Sequence, residues 1–197
     1  LVALPETVEQ VQAVLRVCHE LGAPVVARGA GTSLSGGALP HPQGVLLALG
    51  KFNQILELDA SRRLARVQPG VRNLAVTQAA APHNRSYAPE PSSQIACSSG
   101  GNVAENAGGV HCLKYGLTVH NVRAVELITM EGERLQRGSE ALDVPGYDLL
   151  GLINGSEGML GVITEITVRL LPKPQDTRAL LAAFDTVEAA GDAVAGI

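Results

Sequence analysis

The segment Arg28-Gly29-Ala30-Gly31-Thr32-Ser33-Leu34-Ser35-Gly36-Gly37 constrains the fold more than any other stretch of the chain. It follows the short apolar run Pro24-Val25-Val26-Ala27, the arrangement of a strand feeding a loop. Four glycines and three hydroxyl residues let several backbone N–H groups converge on an anion, so the composition reads as a phosphate cradle. The spacing fits neither common nucleotide motif: the third glycine of GxGxxG would fall at Leu34, and Gly37 stands where a P-loop needs lysine. At this point an ordinary surface loop, with glycines serving turn geometry alone, remains the competing reading.

The surrounding pattern is that of an α/β unit. Thr7-Val8-Glu9-Gln10 has the form of a capping box, and Val8, Val11, Leu15, Cys18 and Leu21 recur at helical spacing until Gly22. Short strands are expected over 45–49, 54–58 and 63–67, then a helix over 71–81. From Pro82 to Gly109 periodicity vanishes and Pro, Ser, Asn and Gly dominate, too long a stretch for an idle connection. A hairpin is expected over 122–136. The clearest strand runs from Gly161 to Leu171, where Val162, Thr164, Ile166, Val168 and Leu170 alternate with the residues between them. Beyond Pro174 the chain suggests a new unit, with a strand over 178–184 and an Ala-rich helix from about Asp185.

Two further segments are rich in small residues and donors: Pro89-Glu90-Pro91-Ser92-Ser93 with Ser98 to Gly109, and Gly155-Ser156-Glu157-Gly158-Met159-Leu160-Gly161-Val162-Ile163. Together with Val67-Gln68-Pro69-Gly70-Val71 and Lys114-Tyr115-Gly116, the ordered set resembles the FAD-binding domain of the vanillyl-alcohol oxidase, or PCMH, superfamily. Within it the set is similar to the flavin-carrying subunits of glycolate oxidase and their D-lactate dehydrogenase relatives. The resemblance implies an α+β, PCMH-type FAD-binding fold with two α/β subdomains over residues 1–174, and the start of a truncated cap domain over 175–197.

The resemblance further implies that the diphosphate of FAD lies on Arg28, Gly29, Ala30, Gly31, Thr32, Ser33, Gly36 and Gly37. Other contacts carried over by position are Pro69, Gly70, Pro89, Glu90, Ser92, Gly100, Gly101, Asn102, Ala104, Asn106, Gly109, Glu157, Gly161, Val162 and Ile163. Backbone and hydroxyl donors on a diphosphate are each worth about 1.5–3 kcal/mol, which agrees with that placement. Some family members attach FAD through a histidine near the end of the first loop. Thr32 takes that place here, so non-covalent FAD is expected. In the complete enzyme the resemblance implies oxidation of glycolate or D-lactate to the 2-oxo acid by hydride transfer to flavin N5. The missing cap would carry the catalytic and substrate-binding groups. A partner iron–sulfur subunit is the expected electron acceptor. A non-catalytic nucleotide-binding module and a same-fold enzyme with another substrate are the alternatives.

Composition closes off other classes. A net charge of −4 argues against a general nucleic-acid binder. With 46% hydrophobic and 17% charged residues, the chain has enough apolar surface for a packed core. No run of 18 apolar residues is free of charge, so neither a membrane span nor a signal peptide is expected. Cys18, Cys97 and Cys112 match no disulfide, zinc or cluster spacing, which suits a reducing cytoplasm, with any membrane association made through partner subunits. His111, Cys112 and His120 lack the spacing of a metal site, and no metal is assigned. Glu90 and Glu157 read as ribose-binding or loop-capping acids. Lys114 and Tyr115 read equally as a border of the ring or as a surface pair. The chain opens without methionine and stops inside a helical pattern, so it reads as a fragment.

Overall fold

The computed structural model describes residues 1–141, 144–176 and 178–197. Helix α1 (Val8–Glu20) starts at Thr7, whose hydroxyl accepts the Gln10 N–H at 3.3 Å. The Gln10 side chain returns to the Glu6 N–H at 2.7 Å, one residue before the cap, so the box closes on a neighbour of Thr7. Val11, Leu15 and Cys18 are its buried stripe. Gly22, at φ +62°, ends it: Ala23 N–H bonds Cys18 O at 2.8 Å and Gly22 N–H bonds His19 O at 3.1 Å. The reversal launches β2 (Val25–Arg28), which pairs in parallel with β3 (Val45–Ala48); β3 pairs in parallel with β1 (Val2–Ala3) on its other side.

The second subdomain is a five-stranded antiparallel sheet in the order β4 (Ile55–Asp59), β5 (Leu64–Val67), β9 (Val162–Arg169), β7 (Val122–Ile128) and β8 (Arg134–Gly138). Helices α2 (Asn73–Ala80), α3 (Ser99–Glu105) and α6 (Leu149–Ile153) contribute Val76, Val103 and Ile153 to the core on this sheet, where they join Val67, Val125, Ile166, Val168 and Leu170. Short helices α4 (Cys112–Tyr115) and α5 (Thr118–Asn121) lead into β7, and β6 (Arg85–Ser86) pairs with β10 (Leu171–Pro172). A second core joins the subdomains: Val11, Leu15, Leu47, Leu49 and Phe52 meet Ile128 and Val162 from the large sheet.

Three expectations need correction. The irregular stretch 82–109 contains α3, which has no apolar period because two of its seven residues are glycine. The alternation along β9 changes phase, since the β7–β9 register shifts between Leu127↔Ile163 and Glu126↔Glu165, leaving Thr164 as an extra residue. Ile163 therefore faces the large core with Ile166 and Val168, while Val162 turns to the core shared with α1. Residues 178–184 form no strand; they are exposed throughout and pair with none of the three sheets. The Ala-rich helix is present as α7 (Val187–Gly196), capped by Thr186. Thr177, in the segment read as the start of a cap, lies outside the described residues.

Candidate functional site

A cavity of about 530 Å³ opens where the two subdomains meet, within the range of ~300–1,000 Å³ usual for small-molecule sites. Its walls come from all three glycine-rich segments. The first contributes Arg28, Gly29, Ala30, Gly31, Thr32, Ser33 and Gly37; Pro69 stands beside it. The second contributes Ser92, Gly100, Gly101, Asn102 and Ala104, and the third Glu157, Gly161, Val162 and Ile163.

The glycines are placed by close approach. A Cβ on Gly29 would stand 2.1 Å from Ser98 Oγ, so the first loop lies directly against the cap of α3. One on Gly100 would stand 2.5 Å from the Pro69 Cβ. The third loop is tied to the end of α3, with Gly155 N–H on Val103 O and Glu157 N–H on Ala104 O, both at 2.8 Å. Glu157 holds φ +54°, a left-handed conformation unusual for a residue with a side chain.

Six expected contact residues lie outside this wall. Gly36, at φ +80°, turns the loop towards Leu39. Gly70 is wedged against the Phe52 and Leu49 carbonyls. The Pro89 carbonyl accepts Asn73 Nδ2 at 3.0 Å. Asn106 ends α3 at φ +50°, and its Oδ1 accepts the Val119 N–H at 3.0 Å. Gly109 packs on the Glu90 backbone. Glu90 itself pairs with His111 Nδ1 at 2.8 Å. Near that pair, His111 meets Tyr115 edge to face with centroids 6.3 Å apart, and Lys114 Nζ lies 5.2 Å from the Tyr115 ring. Among the described residues no three His, Cys, Asp or Glu side chains converge as metal ligands.

Sequence reasoning did not single out Leu34, Cys97, Ser98, Glu105 or Gly158, which also line the cavity. Ser98 and Glu105 bracket α3, so recognising that helix from its capping serine was the available signal. Next to Cys97, Tyr87 is fully buried, and burial, reinforced by the nearby Cys97, pushes its phenol well above the ordinary range. It stays neutral and serves the core.

The charged groups of the wall are Arg28, Glu105 and Glu157. The Arg28 side chain lies under the first loop, with Nη2 2.8 Å from the Cβ position of Gly31, and has no hydrogen-bond or ion-pair partner among the described residues. Buried Asn102 has its Nδ2 likewise unpartnered. An unpaired guanidinium, an unsatisfied amide donor and tightly curved glycine backbone are the donor set that an anionic ligand with a polar ring completes.

Comparison with known proteins decides the family. Residues 1–137 match the model of a family described as FAD binding domain. The chain belongs to this FAD-binding family. The FAD-binding chain is 67% identical over its full 197 residues to glycolate oxidase subunit GlcD of Escherichia coli strain K12, covering 40% of that protein. Its identity to glycolate oxidase subunit GlcD of Bacillus subtilis is 41%, again over all of this chain and 42% of the relative. A D-lactate dehydrogenase of Archaeoglobus fulgidus is 40% identical over 98% of this chain and 43% of its own length. The chain thus spans about two-fifths of the curated relatives it matches. In structure it superposes on alkyldihydroxyacetonephosphate synthase with a TM-score of 0.78 at 24% identity, covering 89% of this chain and 32% of that one, which establishes the shared fold. The cofactor of the domain is FAD, and the donor set in the cavity fits it.

Proposed function

We propose that this chain is the FAD-holding part of a flavin-dependent 2-hydroxy-acid dehydrogenase acting on glycolate or D-lactate. The observation that carries the cofactor site is the meeting of three separate glycine-rich segments around one cavity whose single cation, Arg28, has no partner among the described residues. On this reading Arg28 and the backbone of Gly29 to Ser33, with Gly37, hold the diphosphate. Gly100, Gly101, Asn102 and Ala104 offer a flat wall of small residues to the ring, and Gly161 to Ile163 close the opposite side. Gly36, Gly70, Pro89, Asn106 and Gly109 shape the loops from behind. Glu90, paired with His111, borders the site.

The chemistry FAD supplies when bound is acceptance of a hydride from the carbon bearing the hydroxyl. The chain's own part is to bind and orient the ring and to keep water from one face. Proton removal from the substrate falls to groups outside these residues. Thr32, having no ring nitrogen, leaves the cofactor non-covalent. The identity to glycolate oxidase subunits and a D-lactate dehydrogenase supports the substrate class, and the word subunit in the relatives' names supports a multi-chain enzyme. An iron–sulfur partner is the proposed electron acceptor, and the cytoplasm the proposed location. No described helix is long and apolar enough to cross a membrane. The proposed domain boundary is Pro174, supported by the central place of β9 in the large sheet and by the exposure of residues 178–189.

The test is to add FAD to the purified protein, desalt, and record the visible spectrum. A retained flavin spectrum with all FAD released on denaturation is expected; a folded protein that shows no saturable change on titration overturns the cofactor-site assignment.

A further inference from the structure

The first loop is held between opposite charges. Arg28 Nη2 lies at its start, under Gly31, while Glu105, at the end of α3, lies at its far end. Glu105 Oε1 stands 3.9 Å from the Cβ position of Gly37, and Oε2 is 3.4 Å from Ser35 Oγ. Ser35 Oγ in turn meets Ser33 Oγ at 2.8 Å. Both charged groups line the cavity, and Glu105 has no ion-pair partner among the described residues. Glu105 is exposed and carries the Ser35 hydroxyl but no cation among the described residues, so its negative charge beside an anion-binding loop is uncompensated and can select among anions.

Resting on the FAD reading above, we propose that Glu105 is a specificity-determining residue that admits a diphosphate esterified at both ends and rejects ligands ending in a free phosphate, such as ADP. ADP carries the same adenosine and diphosphate as FAD, so backbone amides and Arg28 alone would hold both. Its terminal phosphate keeps a negative charge that the second ester bond of FAD removes. A carboxylate only accepts hydrogen bonds, so it complements the hydroxyls of the sugar-alcohol chain that follows that ester bond and repels a terminal phosphate. At the separations available in such a cavity, with partial solvent screening, one extra unit charge is worth about three- to tenfold in affinity. The carboxylate is needed for this discrimination and the Ser35 hydroxyl is not, which separates a charge filter from a mechanical strut.

The experiment titrates the protein with FAD by its visible absorbance change, and then with ADP as competitor. Glu105→Gln is expected to tighten ADP about three- to tenfold without a matching gain for FAD. Ser35→Ala is expected to retain the rejection of ADP. An equal shift for both ligands, or relaxed discrimination in Ser35→Ala matching that of Glu105→Gln, makes Glu105 a strut and overturns the proposal; unchanged ADP affinity overturns it as well. Circular dichroism checks folding, and Glu105→Thr gives the same readout should the glutamine variant not fold. A wild-type protein that takes up no FAD defeats the cofactor-site reading and this proposal together, whereas FAD binding with ADP indifferent to residue 105 defeats this proposal alone.

Discussion

Gly31 sits at φ +72°, where a side chain costs about 1–2 kcal/mol, and a Cβ there would meet the Arg28 guanidinium at 2.8 Å. Gly31→Ala is therefore expected to weaken FAD binding by about tenfold or more, since it strains the loop and displaces its cation. Arg28→Gln keeps the bulk and removes the charge. Losing one charge-assisted hydrogen bond of about 1.5–3 kcal/mol raises the FAD Kd roughly 10- to 150-fold, read by the same flavin titration. A different residue sets part of the acid stability. Asp59 Oδ1 accepts from Ser61 Oγ at 2.6 Å and from the Ser61 and Arg62 N–H groups, both at 2.9 Å, closing the β4–β5 turn in which Arg63 holds φ +59°. These bonds, the Ser61 hydroxyl foremost, lower the Asp59 pKa below its ordinary value. A lowered carboxylate pKa stabilises the fold above the unfolded-state value of ~3.9, and that contribution disappears as pH falls through the folded-state value. Asp59→Asn should lower the urea midpoint at neutral pH. The gap between variant and wild type should close as the solution is acidified below about pH 4; a gap independent of pH contradicts the assignment.

At the scale of elements, α3 organises the site. Its cap Ser98 touches the first loop, its Gly100 presses on Pro69, and its last carbonyls anchor the third loop. Gly100→Ala would gain up to ~1 kcal/mol of helix propensity yet drive a methyl to 2.5 Å from the rigid Pro69 ring, a clash worth about 1–3 kcal/mol. The variant is expected to melt earlier than wild type and to bind FAD more weakly. An unchanged melting temperature would mean the helix and the 69–70 turn do not bear on one another. α3 is also where the sequence was hardest to read: its small residues serve close approach between backbones, which leaves no apolar stripe to detect. α1 was legible for the opposite reason, because its burial is one-sided and both of its ends carry local signals in Thr7 and Gly22. β9 was legible as a strand but not in phase, since the extra residue at Thr164 follows from pairing with β7, a distant partner that local alternation cannot report. For the site, the glycine-rich segments were visible as three loops. Their convergence, and the part of Glu105, depend on the tertiary placement of α3.

For the whole molecule, the cavity lies against a core built from both subdomains: Leu49 of the β3 side and Val162 of β9 belong to the core shared with α1 and also line the cavity. A ligand there contacts both halves and binds only when they are packed together. FAD should therefore stabilise the fold as one unit, by RT ln(1 + [L]/Kd), about 2.7 kcal/mol when free FAD is 100-fold above Kd. For a chain of 197 residues, at roughly 2–4 °C per kcal/mol, that is an increase of about 5–10 °C in Tm. The increase should grow logarithmically with FAD and follow a single calorimetric transition. In Arg28→Gln the same curve should be displaced to higher FAD concentration, with the Tm in the absence of cofactor nearly unchanged because Arg28 has no partner to lose among the described residues. Two transitions, only one of them moved by FAD, would mean that the halves unfold separately and that one subdomain holds the cofactor by itself.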